Sequence, residues 1–558
     1  MSRVPTVERL GSPAAREKLP PVAPIATGAA REARSGAVAA TSPVRDRTLV
    51  AVLAVAVGLT AFGLARHAMW FDELQAWNLA RASRSVPDLL HHLRYEGHPP
   101  AWYLVLYGLT RITGDPRAMQ GAELVIVAAT YAVVLFASPF SKPVRFALLA
   151  GYTISFEYGV ISRGYGLGVL SLVVTLALLG RPRPRWRWAL VSAAVLAWTS
   201  VAGAVVALAI AGAVAGGAPH RGGRTPGPGR DRRRFVVGTG VAAVAAAVVC
   251  IPPSDFHAFT PSVGSVSTLG TAGWSRLLTA ATGTWRGLVP IPSRLGAWNS
   301  QFVDRLPAAA WIEAGLSIAV VALMAGALRR FRTAWRLWLL GSVGSFLFFA
   351  VVVLPDQARY AGTTFLVFLG AAWWAYAPPG GADDGSTGAV GPGSARPSRR
   401  LHQLVTVVIA AQVVALLAIY PSETSGRFAP NQAVAEVVRA AGLQDHVVSG
   451  QDFDATSVAA YLDRPVYSVA RQAWIRYFTH DDREARRYNA LGAAEILCAA
   501  WRVARGAHHA AAIITEHLTP HRDPGVARIV TIDQVEVIRV DPDATLAGCA
   551  DPASRRDA

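Results

Sequence analysis

Apolar blocks of bilayer-spanning length alternate along this chain with short loops dense in arginine. Such blocks run over 48–66, 117–138, 144–160, 164–180, 189–201, 203–217, 235–253, 310–328, 337–354, 361–377 and 401–420. A helix needs about 20 apolar residues to cross the hydrocarbon core, so these blocks read as about eleven spans. With 52% hydrophobic and only 16% charged residues, the chain fits a polytopic membrane protein and not a soluble one. The net charge of +18 would suggest nucleic acid in a soluble protein. Here the arginines crowd the short loops, where membrane topology accounts for them, so no nucleic-acid partner is expected.

Starting the N-terminus in the cytosol puts the loops 139–143, RPRPRWRW (181–188), RGGRTPGPGRDRRR (221–234), RRFRTAWR (329–336) and ARPSRR (395–400) on the inside. The positive-inside rule then holds at each of them, and the opposite orientation violates it at each. The expected location is the cell membrane, with a cytosolic N-terminus. Residues 1–46, rich in Ala, Pro, Arg and Ser, read as a disordered basic cytosolic tail and not as a cleavable signal peptide. The membrane domain covers 47–420. Its first extracytoplasmic loop is 67–116, and 378–400 is a flexible Gly/Pro/Ser linker on the cytosolic side.

From 421 to 558 the character changes. The runs 446–450, 465–469, 511–515, 527–532 and 535–540 read as short strands, and 456–462 and 493–505 as helices. That pattern predicts a small extracytoplasmic α/β domain. Cys498 and Cys549 both lie in it and can pair in an oxidising compartment. Asp452-Phe453-Asp454 resembles the acid-x-acid pattern used to hold metals, which in a soluble domain is usually a solvated strand end.

Polar residues that could carry chemistry gather on the outside. In MWFDELQAW (69–77), Asp72 and Glu73 follow the first span. A carboxylate at mid-bilayer costs roughly 2.5–3.5 kcal/mol, and a position just past the span avoids that. Asp72 can cap a helix with Gln75 at its third position, or serve as a general base or metal ligand. In RYEGHPPAWYLVLYGLTRITGDP (94–116), His98 precedes two prolines that start an interfacial helix. Its Trp102, Tyr103 and Tyr107 suit the headgroup level. His98 is a turn residue or a substrate contact. In FEYGVISRGYGL (156–167), Glu157, Arg163 and Tyr165 sit at an outer boundary. In LPDQARYAGTTF (354–365), Arg359 opens a span, with Tyr360 beside it. Arg163 and Arg359 are cations on the side that should lack them. They either snorkel or hold a phosphate. No P-loop, G-x-G-x-x-G after a strand or C-x-x-C is present, which leaves nucleotide cofactors without support.

Taken together, FDELQAWNLA, EGHPPAWYLVLYGLTRITGDP, ISRGYGL and QARYAGTTF resemble the glycosyltransferase C (GT-C) superfamily. The protein O-mannosyltransferase-like and aminoarabinose-transferase-like bacterial enzymes are the relatives they suggest. The resemblance covers roughly 48–420. It implies a helical membrane transferase with outer-surface amphipathic helices in its first loop. The enzyme would move a sugar from a polyprenyl-phosphate donor to an envelope glycan, lipid or protein acceptor, usually with inversion. On that likeness Asp72 is the base, and Glu73 supports it or shares a divalent cation (Mg or Mn) with it. Arg163 and Arg359 bind the donor phosphate, Tyr165 and Tyr360 line that site, and His98 and Glu157 contact substrate. Many relatives carry a second acid before the arginine of SRGYGL, and Glu157 is the expected replacement. The alternatives are a lipid-linked-sugar transporter or flippase, and a non-catalytic envelope protein that binds lipid-linked sugar.

Overall fold

The computed structural model describes residues 46–546 and Cys549; 182, 217–227, 257–268, 378–396, 425–427, 484–490, 517 and 519–522 lie outside the described residues. The expected N-terminal tail and linker fall almost wholly among the latter.

The apolar blocks are helical. They correspond to α1 (Arg47–Arg66), α5 (Arg117–Ala137), α6 (Lys142–Leu149), α7 (Gly164–Leu179), α8 (Trp186–Thr199), α9 (Val201–Ala215), α10 (Pro228–Val249), α13 (Ala309–Leu328), α14 (Arg332–Val351), α15 (Ala358–Tyr376) and α16 (Arg399–Thr424). Among the described residues, five of these (α1, α5, α13, α14 and α16) are long and apolar enough to cross a membrane by themselves. The shorter α7 and α9 are buried against their neighbours, with α7 on α8 and α9 on α14. Exposed apolar side chains such as Val55 and Leu59 on α1, Ile318 on α13 and Leu417 on α16 form the surface suited to lipid. The third block breaks. α6 ends at Leu149, and a π-helical stretch, Thr153–Glu157, follows. Such turns bend a helix and re-aim its side chains.

The first loop holds α2 (Phe71–Ala82), α3 (Val86–His92) and α4 (Ala101–Thr110). Pro100 fixes the entry to α4, and Ser85 caps α3 by accepting from the Asp88 amide. Trp102 and Tyr103 are not at a headgroup level: both are 2% exposed and pack against α2. The segment after α10, expected as a plain loop, carries α11 (Leu269–Ala281) and α12 (Gly283–Leu288).

The C-terminal part is an α/β unit. Its sheet has six strands, β1 (Val447–Ser449), β2 (Val466–Ser468), β3 (Ala473–Ile475), β4 (Ala511–Thr515), β5 (Val526–Ile532) and β6 (Val535–Val540), in the order β3-β2-β1-β4-β6-β5. β1 runs parallel to β2 and β4, and the outer pairs are antiparallel. Helices α17 (Asn431–Ala440) and α18 (Asp452–Leu462) join one apolar cluster of the sheet, and α19 (Ala493–Ala507) joins another. Cys498 and Cys549 are disulfide-bonded. β3 and α17 were not expected from the sequence.

α18 also corrects the reading of Asp452-Phe453-Asp454. The segment is a helix start, not a solvated strand end. Asp452 is 2% exposed and accepts from the Ser468 hydroxyl. Phe453 stacks on Phe71 of α2, 3.6 Å between ring centroids. α18 therefore packs directly on the helix that carries Asp72.

Candidate active site

The cap of α2 begins two residues earlier than the sequence suggests. Trp70, extended at φ −98°, is the N-cap, so Asp72 occupies the second helical position and Glu73 the third. Glu73, not Gln75, closes the cap: its Oε2 accepts from the Trp70 amide at 3.1 Å. Glu73 is fully buried. Its Oε1 accepts from the Ser162 amide at 2.7 Å, and Oε2 lies 2.9 Å from His67 Nε2. The other ring nitrogen of His67 is 2.9 Å from Glu423 Oε2, near the end of α16. Burial works against a charged ring, but Glu73 and Glu423 outweigh it and push the His67 pKa up to about 10.

Asp72 points the other way. Its side chain keeps 19% of its surface exposed, and Oδ2 lies 2.6 Å from Arg359 Nη1. The Arg359 guanidinium sits over the Trp70 ring at 4.9 Å and the Tyr360 ring at 4.8 Å, and Nη2 donates to the Tyr360 hydroxyl at 3.2 Å. The Tyr158 hydroxyl donates to the Arg359 carbonyl, and Tyr158 stacks on Tyr165 at 5.1 Å. Arg163, the N-cap of α7, is 6% exposed. Its Nη1 donates to the Asp72 carbonyl, and its Nη2 lies 3.3 Å from His98 Nε2.

His98 Nδ1 is 2.6 Å from the Glu96 carbonyl, so it donates there and leaves Nε2 to accept from Arg163. Burial and Arg163 hold its pKa down to about 4, which keeps the ring neutral. Burial alone would raise the Asp72 pKa. Arg359 and then Arg163 outweigh burial and hold it below the usual carboxylate value, so Asp72 is ionised. Glu96, which accepts from Gln75 at 2.8 Å, is pushed up to about 7 by burial. A small cleft opens between His98, Trp102, Tyr103, Arg163, Gly164, Tyr165 and Thr199. The Tyr103 hydroxyl is buried there without a hydrogen-bond partner.

Asp72, His98, Arg163, Tyr165, Arg359 and Tyr360 are thus brought together from the first loop, the turn before α7 and the start of α15. Two expected members do not join them. Glu73 turns into the His67–Glu423 network. Glu157, 1% exposed on the π-helical stretch, accepts from the Tyr152 hydroxyl at 2.7 Å and from Trp298 Nε1 at 2.9 Å. Its hydrogen bonds therefore run to Tyr152 and to the loop before α13, not to the arginines. His67, Glu96, Trp70, Tyr103 and Glu423 were missed by the sequence reading. The signal that could have found the acids is position: each is an ionisable residue next to the end of an apolar helix or a Pro-Pro turn.

A divalent cation does not fit these residues. Both Glu73 oxygens are taken by protein donors, and Asp72 is paired with Arg359. No group of three or more His, Cys, Asp or Glu with metal-holding geometry exists among the described residues.

No protein-family model and no curated protein matches the chain. Among solved structures it is similar to the crystal structure of ArnT from Cupriavidus metallidurans bound to undecaprenyl phosphate. That likeness has 14% identity and a TM-score of 0.44 over 90% of this chain and 98% of the other.

Proposed function

We propose that this protein is a membrane glycosyltransferase that moves a sugar from a polyprenyl-phosphate-linked donor to an acceptor hydroxyl on the extracytoplasmic face, with inversion. The observation that carries the reading is the convergence of Arg163 and Arg359 on Asp72 beside a cleft, all at the ends of apolar helices.

Two buried guanidiniums suit a phosphate and its developing negative charge. Asp72 is ionised and partly exposed, as a base must be to reach a hydroxyl. The acceptor oxygen attacks the anomeric carbon, and its proton passes to Asp72. The bond from that carbon to the phosphate oxygen breaks, and its electron pair stays on the lipid phosphate, where Arg163 and Arg359 stabilise it. A single displacement from the face opposite the leaving group inverts the anomeric configuration. A site open to the bilayer edge suits a donor whose polyprenyl tail stays in the lipid.

The test is transfer in membranes that contain the full-length protein and a polyprenyl-phosphate sugar. Asp72→Asn is expected to lose at least about 100-fold in rate, the low end for a positioned base. Undiminished transfer would remove Asp72 from that role. Deleting the protein and weighing the envelope glycans identifies the sugar and the acceptor class together.

A further inference from the structure

We infer that Asp72 is also a placeholder in the donor site: its carboxylate holds the guanidinium edge of Arg359 that the donor phosphate must take, so the base is released only when the donor is bound. This rests on the donor reading above and adds an order of events to it.

The guanidinium carbon of Arg359 lies within cation–π distance of the Trp70 and Tyr360 rings, and a phosphate would bind its N–H groups. Of these, Nη2 donates to the Tyr360 hydroxyl, and Nη1 is held by Asp72 at 2.6 Å. Nε and Nη1 are both buried without a hydrogen bond, so Asp72 holds Nη1 as an ion pair alone. The arginine is 9% exposed, and a phosphate oxygen that takes Nη1 must displace the Asp72 carboxylate from it.

Arg163 is arranged differently. Its contacts are the Asp72 backbone carbonyl and the neutral His98 ring, so no carboxylate pairs with it at contact distance. It faces the cleft that also holds the unpartnered Tyr103 hydroxyl. An incoming phosphate meets Arg163 first and then competes with Asp72 for Arg359. A phosphate offers more charge and more oxygens to a guanidinium than a carboxylate does, so it can win that exchange.

Asp72 thereby loses its closest counter-ion just as the donor is seated, and an unpaired carboxylate is the better base. With no donor present the base stays paired. The arrangement predicts that donor binds before acceptor.

The experiment measures undecaprenyl phosphate binding to the full-length protein in lipid nanodiscs. A placeholder opposes binding, so Asp72→Asn is expected to bind about tenfold more tightly than wild type, the scale of one charge-assisted bond. A gain of affinity cannot come from misfolding. In an Arg359→Gln background the same Asp72→Asn change is expected to bring no gain, whether residual binding is weak or lost. Unchanged or weaker binding by Asp72→Asn, with wild type binding normally, overturns the placeholder and leaves the donor reading standing. A tenfold gain that persists without Arg359 makes Asp72 a merely repulsive charge and also overturns it. Absence of binding by wild type and every variant overturns the donor reading itself.

Discussion

His67 Nε2 lies 2.9 Å from Glu73 Oε2, and both side chains are fully buried. Because Nδ1 of the same ring reaches Glu423 Oε2, one histidine joins the end of α1, the start of α2 and the end of α16. Glu73 in turn holds the Ser162 amide beside Arg163. Replacing His67 with Phe leaves two buried carboxylates facing each other without a cation. Breaking a buried ion pair costs about 3–5 kcal/mol, so the variant should melt well below wild type in a thermal unfolding assay.

The same ring predicts an alkaline effect. Its folded pKa, about 10, stands above the ordinary 6.5. Stability from His67 is therefore fully present below pH 6.5 and is lost as pH rises through about 10. Melting curves across that window should fall more steeply for wild type than for His67→Phe. Parallel curves would remove the charged ring from the account.

Glu96 sets a second pH dependence, within the site. Its carboxyl is neutral below about 7 and anionic above, and it interacts electrostatically with Arg163 and Asp72. A new negative charge there weakens a phosphate on Arg163. Glu96→Gln and wild type should bind undecaprenyl phosphate alike at pH 6 and differ by roughly 2–5-fold at pH 8, with wild type weaker. Comparing the two proteins at each pH cancels the titration of the phosphate itself. A ratio that does not change with pH would count against the role of Glu96.

Arg359 and lysine should not be interchangeable. The guanidinium lies over two rings, donates to Tyr360 and forms an ion pair with Asp72, which a point-charge ammonium cannot reproduce. Arg359→Lys should lose about tenfold or more in sugar transfer. Wild-type rates in membranes carrying that variant would show that only the charge matters.

Gln75 is the joint between α2 and the C-terminal unit. Its amide donates to the Phe478 carbonyl at 2.6 Å and to Glu96 at 2.8 Å, and its oxygen accepts from the Phe478 amide at 3.0 Å. Gln75→Leu strands those groups in a buried place and should cost about 1–3 kcal/mol. Faster hydrogen exchange at Phe478 is the expected readout. Unchanged protection would mean that the Phe71–Phe453 stack holds the two parts together without it.

Part of the site was open to reading before any fold was known. Asp72, Arg163 and Arg359 stood out because they are charges at the ends of apolar blocks and lie outside the arginine-dense loops, whatever the packing. Glu73 was misjudged because adjacent helical residues point about 100° apart. Only tertiary contacts decide which acid of the pair meets the arginines and which meets a histidine. Glu157 was misjudged because its carboxylate, on a π turn that no local composition announces, accepts from Trp298 and not from the arginines.

By itself, then, the sequence determined the apolar helices, most of the strands and helices of the C-terminal unit, and the short set of charges worth pursuing. Period and composition suffice for those, since the unfavourable transfer of polar groups into an apolar environment acts on every residue alike. Tertiary structure alone decided that Trp70 caps α2, that His67 binds two acids, that α18 packs on the helix of Asp72, and that Asp72 already holds Arg359. Each of these depends on residues far apart in the chain meeting at hydrogen-bond or van der Waals distance, and that information appears only when the helices pack.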